Sequence, residues 1–497
     1  MKPTIRIARL NIVCTALLLG ACAVGPDFKA PNAATAVPTQ GSSAPALTRT
    51  LNISQQSLPE KWWTVFGDDT LNGLQEQLLS GSPDLQTAAL RFAQSRARQG
   101  ITAAQSGPQV EASAQAGRRR VSEYGSETRM INAIGNESLT KLVSEPYSLY
   151  QAGFDASWEL DLWGRVRRLN EAAAADSAAA AATVRDVHLT LSAELAKAYF
   201  QLRQVQQQQK QAVAQIRLAE SQTGLLQSQY RNGLIDQDKV LSAQNRLSDL
   251  RAALPQLQAQ EGSLINQIGI LVNTEPGSLN QRLAAPAADN AALPGLTLGI
   301  PSEILRRRAD IRAAEAKLHA ATANIGVAVA DLYPRITLSA GAGLQSVSGG
   351  NFTDWGARNW QIGPVLSLPV FNRASLRTTV ELRKLEQQEA AIAYQKTVLS
   401  AWREVDDALA GYASEQQQNR QLKARYAQQQ QALRHAQARA RNGLTNQLLV
   451  LQAEQTLLQT ENDLTASTAR LRTGLVSLYK AAAGGGVVEA GESSSRP

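Results

Sequence analysis

The chain is 497 residues long, with a formal net charge of +8, 43% hydrophobic residues, 5% aromatic residues and two cysteines. That length could hold about two to four ordinary domains, and few aromatics beside abundant Ala and Gln fit a large helical assembly rather than one packed globule. The charges are interleaved, and the clusters Arg118-Arg119-Arg120 and Arg306-Arg307-Arg308 lack the aromatic interleaving or recognition motif of a nucleic-acid surface, so they read as solvated or capping groups.

At the N-terminus Lys2, Arg6 and Arg9 precede an apolar run from Ile12 to Leu19, and Leu19-Gly20-Ala21-Cys22 follows. This is the layout of a secretory processing segment. Its apolar core is well short of the roughly 20 residues a membrane helix needs. The four residues ending in Cys22 resemble a bacterial lipobox, which implies cleavage before Cys22 and acylation of that residue. Residue 23 is Ala rather than the Asp of inner-membrane retention, so the expected destination is the outer membrane. Cleavage removes Cys14 and three basic residues, which lowers the charge from +8 to +5 and leaves no intramolecular disulfide.

Beyond the signal the chain repeats itself. Arg231-Asn232-Gly233-Leu234, with Val240-Leu241 after it, returns 210 residues later as Arg441-Asn442-Gly443-Leu444 with Val450-Leu451. Asp84-Leu85 and Pro108 return as Asp310-Ile311 and Pro334, offset by 226. The offset relaxes to 210 by Gly153 and Gly363, so one loop spans 45 residues from Pro108 and its copy 29 from Pro334. A duplicated unit dictates architecture before any local reading, and here the unit is helix, strand hairpin, long helical hairpin.

Taken in order, each repeat opens on an Ala- and Arg-rich helix. Period-2 segments follow. Val110, Ala112, Ala114 and Ala116 alternate with Glu111, Ser113, Gln115 and Gly117, and Tyr150 through Leu160 alternate in the same way with Gln151, Gly153, Asp155, Ser157 and Glu159. In the second repeat Ile336, Leu338, Ala340, Ala342 and Leu344, and then Trp360, Ile362, Pro364, Leu366, Leu368 and Val370, form the apolar sets. Alternation over about ten residues, apolar outward and polar or glycine inward, is the pattern of transmembrane barrel strands. The hairpins are expected at about 108–161 and 334–371. Four strands cannot close, and an open sheet edge is not tolerated in hydrocarbon. Several copies must therefore complete one barrel, and two, three or four copies all satisfy closed symmetry.

Long helices come next, from about Arg165 to Tyr230 and from about Leu376 to Arg441, each without proline and with a single interior glycine, Gly224 or Gly411. Runs this long without internal caps indicate coiled coil or helical repeat. Gly233 and Gly443 follow Asn after a basic last turn, the chemistry of a left-handed helix stop, so each long helix turns back near 233 or 443. The expected organisation is a signal peptide at 1–21, a lipidated segment at 22–66, a first repeat at 67–272, a linker at 273–301, a second repeat at 302–483 and a flexible tail at 484–497.

Cys22-Ala23-Val24-Gly25-Pro26-Asp27-Phe28, Trp62-Trp63 with Phe66, and Gly299-Ile300-Pro301-Ser302-Glu303-Ile304-Leu305-Arg306-Arg307-Arg308-Ala309-Asp310-Ile311-Arg312 resemble the TolC/OprM (NodT) type of outer-membrane factor lipoprotein. The resemblance runs from Cys22 to about Gly486. It implies a mixed α and β fold: a homotrimer whose twelve-stranded transmembrane β-barrel continues into a long periplasmic α-helical barrel. It also implies an exit duct for small molecules in a tripartite efflux pump. The partners would be a periplasmic adaptor, an inner-membrane transporter of the resistance-nodulation-division class, and outer-membrane lipid around the Cys22 anchor. Carried over by motif, the periplasmic gate falls at Leu448 and Gln452, with Gln455 where the family can place a pairing Arg. The family's gating charge pair is absent, and Asp236 and Asp238 of the first turn are candidates for its ionic role. Arg231, Asn232, Gly233 and Leu234, with Arg441, Asn442, Gly443 and Leu444, are the expected adaptor contacts. Ala309 stands where the loop motif usually has proline, a change that loosens only a helix start.

Enzyme readings find no support. His188, His319 and His435 have no ligand spacing and read as exposed or interhelical polar groups, and Gly341-Ala342-Gly343 lies inside a strand pattern without a dinucleotide loop's third glycine. No cofactor or metal is expected. Two alternatives remain, an exit duct for polypeptide secretion and a lipid-anchored coiled-coil scaffold, and the second leaves the four strands unexplained.

Overall fold

Strong helix formers and the lack of proline after Arg165 dictate the longest elements of the computed structural model, which describes residues 23–31, 61–284 and 307–482. A short 3-10 turn at Trp62–Phe66 precedes helices α1 (Asp69–Gly81) and α2 (Pro83–Ala104) and strand β1 (Gln109–Arg119). The long loop after β1 carries two short helices, α3 (Arg129–Ala133) and α4 (Glu137–Val143), and leads to β2 (Tyr147–Glu159). The first helical hairpin is α5 (Arg165–Arg231) and α6 (Gln237–Leu271), followed by the short α7 (Asn280–Ala284). The second repeat contributes α8 (Ala309–Ala330), β3 (Arg335–Ser346), β4 (Arg358–Ser367), α9 (Arg373–Arg441) and α10 (Gln447–Ala482). Among the described residues no helix is long and apolar enough to cross a membrane.

Several boundaries differ from the sequence reading. Leu160 lies past β2 because Asp161, in a left-handed conformation at φ 35°, turns the chain and accepts the Val166 and Arg167 amides at 2.8 and 2.9 Å as the cap of α5. Leu368 and Val370 lie past β4, which stops before Pro369, a residue that cannot donate to a ladder. The segment expected as a linker at 273–301 contains α7, held because the fully buried Leu283 offers its carbonyl to Arg203 at 3.0 Å and Gln206 at 2.8 Å. The signal segment, Cys22, Arg306 and the tail after 482 lie outside the described residues.

The chain divides into two compact units, each drawing on both repeats. One, which among the described residues takes in 23–30, 94–177 and 316–391, holds the sheet, an antiparallel meander in the order β1-β2-β3-β4. The other, which among the described residues takes in 31, 61–93, 178–284, 307–315 and 392–482, holds the main apolar core. There Trp62, Trp63, Leu71, Leu74 and Leu78 pack with Leu195, Tyr199, Leu475 and Tyr479, and Trp62 stacks on Tyr479 at 5.8 Å. The core is anchored by hydrogen bonds of long sequence separation. Tyr199 donates to Asp68 Oδ2 at 2.6 Å, while Asp68 Oδ1 caps α1 by accepting the Leu71 amide at 3.0 Å. Burial, with Asp68 adding to it, pushes the Tyr199 phenol up to about 12, so it stays a donor.

Candidate channel wall and helix turns

Pairing in the sheet assigns each side chain to a face. Ala112, Phe154, Ala342 and Trp360 form one cross-strand row, and Val110, Ala156, Ala340 and Ile362 the next. The opposite face carries Glu111, Asp155, Gly341 and Gln361 in one row and Ser113, Gly153, Gly343 and Asn359 in another. All four period-2 segments therefore keep their apolar sets in register, because a one-residue slip of any strand would move its whole set to the other face. Phe154, Trp360 and Ile362 are more than 60% exposed in the single chain. A contiguous apolar face of this kind is what lipid covers on a barrel. On the polar face Gly153 and Gly343 let backbones approach, since an added Cβ would lie 2.8 Å from the Ala342 carbonyl and 2.6 Å from that of Ala152. Among the described residues strands β1 and β4 each pair on one side only.

Below the sheet an N-terminal strap, residues 23–30, is fastened by contacts the sequence reading did not foresee. The Val24 amide donates to the Trp163 carbonyl at 3.0 Å, Arg168 pairs with Asp27, and Phe28 stacks on His319 at 4.3 Å. Gly25, at φ 91°, crosses Gly326 so closely that an added Cβ would sit 2.5 Å from the Gly326 Cα. Gly25 and Phe28 were visible in the N-terminal motif, and a glycine followed by an isolated aromatic was the available signal. His319 also meets Glu171 Oε1 at 2.8 Å, which makes it an interhelical polar group as expected. Burial opposes ionisation of Glu171, but Arg168 and His319 hold its carboxyl below the ordinary carboxylate range.

Of the Arg306-Arg307-Arg308 cluster, Arg308 is a buried keystone in the other unit. It binds Asp310 through two nitrogens at 3.0 and 2.8 Å, Glu404 at 2.7 Å and the Ala481 carbonyl at 3.1 Å, which extends the capping reading. Arg119 and Arg120 pair with Glu127 at 2.6 Å and Glu123 at 3.1 Å, all well exposed, so these pairs contribute little.

The two predicted turns have the same backbone. At the first, Leu234 donates to the Gln229 carbonyl and Gly233, at φ 72°, to that of Tyr230, both at 2.9 Å. At the second, Leu444 donates to Arg439 at 2.8 Å and Gly443, at φ 71°, to Ala440 at 3.0 Å. This double bond to the third- and second-last carbonyls is the Schellman stop, which glycine adopts without a Cβ penalty. Gln211 donates to Thr465 at 2.8 Å, each about equally far along its helix from its turn, so both turns lie at one end of their unit. Arg231, Asn232, Gly233, Leu234, Arg441, Asn442, Gly443 and Leu444 are all exposed there.

The residues that follow differ. Asn446 Oδ1 caps α10 by accepting the Leu449 amide at 3.0 Å, whereas Asp236, its counterpart, starts α6 with no side-chain cap. Leu448, Gln452 and Gln455 share one face of the first turns of α10, with Leu448 and Gln455 half-buried and Gln452 exposed, while Asp236 and Asp238 are exposed. Among the described residues neither aspartate forms an ion pair with Arg231 or Arg441.

A family model described as "Outer membrane efflux protein" matches residues 74–263 and 300–484, one match over most of each repeat. The chain belongs to the outer membrane efflux protein family. It is 31% identical over 485 residues to the antibiotic efflux pump outer membrane protein ArpC of Pseudomonas putida, covering 97% of this chain and 96% of that one. It is 30% identical, with the same coverage, to the toluene efflux pump outer membrane protein TtgC of a Pseudomonas putida strain. Its fold matches the outer-membrane channel OprN with a TM-score of 0.81 and 32% identity, over 94% of this chain and 99% of that chain.

Proposed function

We propose that this outer membrane efflux protein is the exit duct of a tripartite pump, passively conducting small molecules delivered by an inner-membrane transporter of the resistance-nodulation-division class through a periplasmic adaptor. The observation that carries the reading is a four-stranded sheet with one exposed apolar face and two edges unpaired among the described residues, continued by helices of 67 and 69 residues. Three copies would close twelve strands, with the Glu111 and Asp155 face lining the lumen. The loop carrying α3 and α4 would then face outside the cell, and the exposed turns around Gly233 and Gly443 would meet the adaptor. Acylation of Cys22 suits the strap, which holds Ala23 beside Gly164, the residue just before α5.

Relatives of equal similarity are named for antibiotics and for toluene, which agrees with a duct whose cargo is chosen by its pump. The test is conductance. Purified protein in a planar bilayer is expected to give stable single-channel currents, and a protein that stays monomeric and gives none would overturn the reading. A gate at Leu448 and Gln452 rests on apolar contact and neutral hydrogen bonds, the latter about 0.5–1.5 kcal/mol each. Leu448→Ala should therefore raise closed-state leak more than Gln452→Ala, with little dependence on salt. A large salt-driven opening abolished by Asp236→Asn or Asp238→Asn would move the lock to the first turn.

A further inference from the structure

The two faces of the sheet differ in charge as well as in hydropathy. Along the paired registers the polar face carries Glu111, Asp155 and Glu159 together with Arg119 and Arg335. The apolar face carries only two charged residues there, Arg118 of β1 and Arg358 of β4, and both are arginine. Arg118 stands opposite Ser148 and Arg358 opposite Leu344, so both lie toward the end of the sheet that bears its two loops, away from the end joined to the long helices. From there toward the helices the face is apolar, down to Trp158, Leu338 and Leu366. Arginine on the lipid face of a barrel is costly at the membrane midplane and nearly free at its rim. The loop end of this face therefore meets a rim of headgroups.

Neighbouring arginines are neutralised and these two are not. Arg119, on the polar face, pairs with Glu127, and Arg120, just past β1, pairs with Glu123. Among the described residues Arg118 and Arg358 form no ion pair, and both are exposed. Arg358 is placed by an aromatic ring instead, with its guanidinium carbon 3.7 Å from the centroid of Trp355. A guanidinium stacked on a ring keeps its planar fork of N–H donors free, and that fork matches a phosphate through two parallel hydrogen bonds. Trp355 is 79% exposed, and Trp360, the next residue of the apolar face after Arg358, is 78% exposed. Tryptophan is the side chain that sits at headgroup level, with an apolar body and one polar N–H.

We propose that Arg118 and Arg358 bind the phosphate groups of the phosphorylated glycolipid of the outer leaflet, with Trp355 and Trp360 packing against its sugar and acyl roots. Charge complementarity carries the assignment: a lipid-facing surface whose charges are two unpaired guanidiniums at one rim, and whose carboxylates lie on the opposite face, fits an anionic headgroup and not a cationic one. The site deepens the proposed duct and rests on its membrane-embedded barrel, with the loop end outside the cell. Since β1 and β4 are the outer strands of the sheet, closing several copies would set Arg358 of one copy and Arg118 of the next on either side of each joint, where a bound headgroup would hold the two copies together.

The test titrates full-length protein, purified in an uncharged detergent, with diphosphorylated lipid A while native mass spectrometry counts the bound lipid. Wild type is expected to bind at least roughly tenfold more tightly than the Arg118→Gln, Arg358→Gln double variant, a factor that the loss of one hydrogen bond to a charged group already supplies. The Arg119→Gln, Arg120→Gln variant, which removes arginines that already have partners, should bind as wild type does. Lipid A stripped of its phosphates should bind wild type as weakly as intact lipid A binds the double variant. Equal affinity of wild type and the double variant, or tight binding without phosphates, would overturn the site, and the second comparison decides even if the double variant fails to assemble. Phosphatidylglycerol binding as tightly as lipid A would overturn the assignment to the glycolipid. Wild-type protein that shows no phosphate-dependent binding yet conducts in a planar bilayer would lose the site and keep the duct. A wild-type protein that is monomeric and gives no current would sink the duct itself.

Discussion

The two repeats of this chain share a backbone and divide the chemistry differently. At the helix turns the Schellman geometry is the same to within 0.1 Å in each hydrogen bond, yet the first turn is followed by the charged Asp236 and Asp238 and the second by Asn446 and Leu448. At the opening helices Ser82 and Asp84 of the first repeat correspond to Arg308 and Asp310 of the second, and only the second ties its helix start to Glu404 and the Ala481 carbonyl. Duplication preserves what the main chain requires, because a left-handed stop is strained by any residue with a Cβ and a one-residue slip turns a whole strand over. Side chains that answer to different neighbours were free to diverge.

The largest expected effect tests that division. Arg308→Ala leaves Asp310 and the half-exposed Glu404 without their buried partner and the Ala481 carbonyl without its donor, and because water can reach both carboxylates the loss is about 1–3 kcal/mol. Ser82→Ala at the equivalent position should cost far less, and thermal unfolding of both variants checks the contrast. Comparable losses would mean that the two helix starts are built alike. Next come the glycines. Gly233→Ala and Gly443→Ala meet no neighbouring atoms, so each should cost only the left-handed strain of about 1–2 kcal/mol, and by equal amounts. Unequal losses in denaturant titrations would break the equivalence of the turns.

Smaller effects sharpen it further. Asn446→Ala removes a side-chain cap worth about 1 kcal/mol, while Asp236→Ala removes none and should change stability by a few tenths at most. Hydrogen exchange of the amides at the start of α10 and α6 would separate the two. Asp186, whose counterpart is the exposed Lys396, is pushed upward by burial, with Asp310 and Glu404 adding to the shift against Lys480 and Arg308. A carboxyl whose folded pKa lies above its unfolded value favours folding at low pH and loses that contribution as pH rises through the folded value. Asp186→Asn should therefore raise the melting temperature slightly at pH 7 and lose the advantage below about pH 4. An advantage that grew on acidification would show the opposite sign of coupling.

Much of this fold was legible before any coordinates. The apolar sets of all four strands, the long helices and the two stops are written in periods of two and 3.6 and in local turn chemistry, which need only residues a few positions apart. The strap was not legible, because Asp27 finds Arg168 and Phe28 finds His319 only after the chain has folded back. The helix inside the expected linker was missed for the same reason, since Leu283 is stabilised by Arg203 and Gln206 some 80 positions away. The candidate gate residues were nameable by motif, but the loss of the side-chain cap at Asp236 was not, because aspartate is as good a cap as asparagine in sequence terms.

What the sequence by itself determined is therefore the repeat, the faces of the strands and the places where helices begin to stop, each enforced by backbone sterics and the separation of apolar from polar surface. Only the tertiary structure decided which rows are already covered within one chain and which are left open. Burial is a property of neighbours: Ala172 and Leu382 occupy the same position in their repeats, yet the first is 4% exposed and the second 50% among the described residues of the single chain.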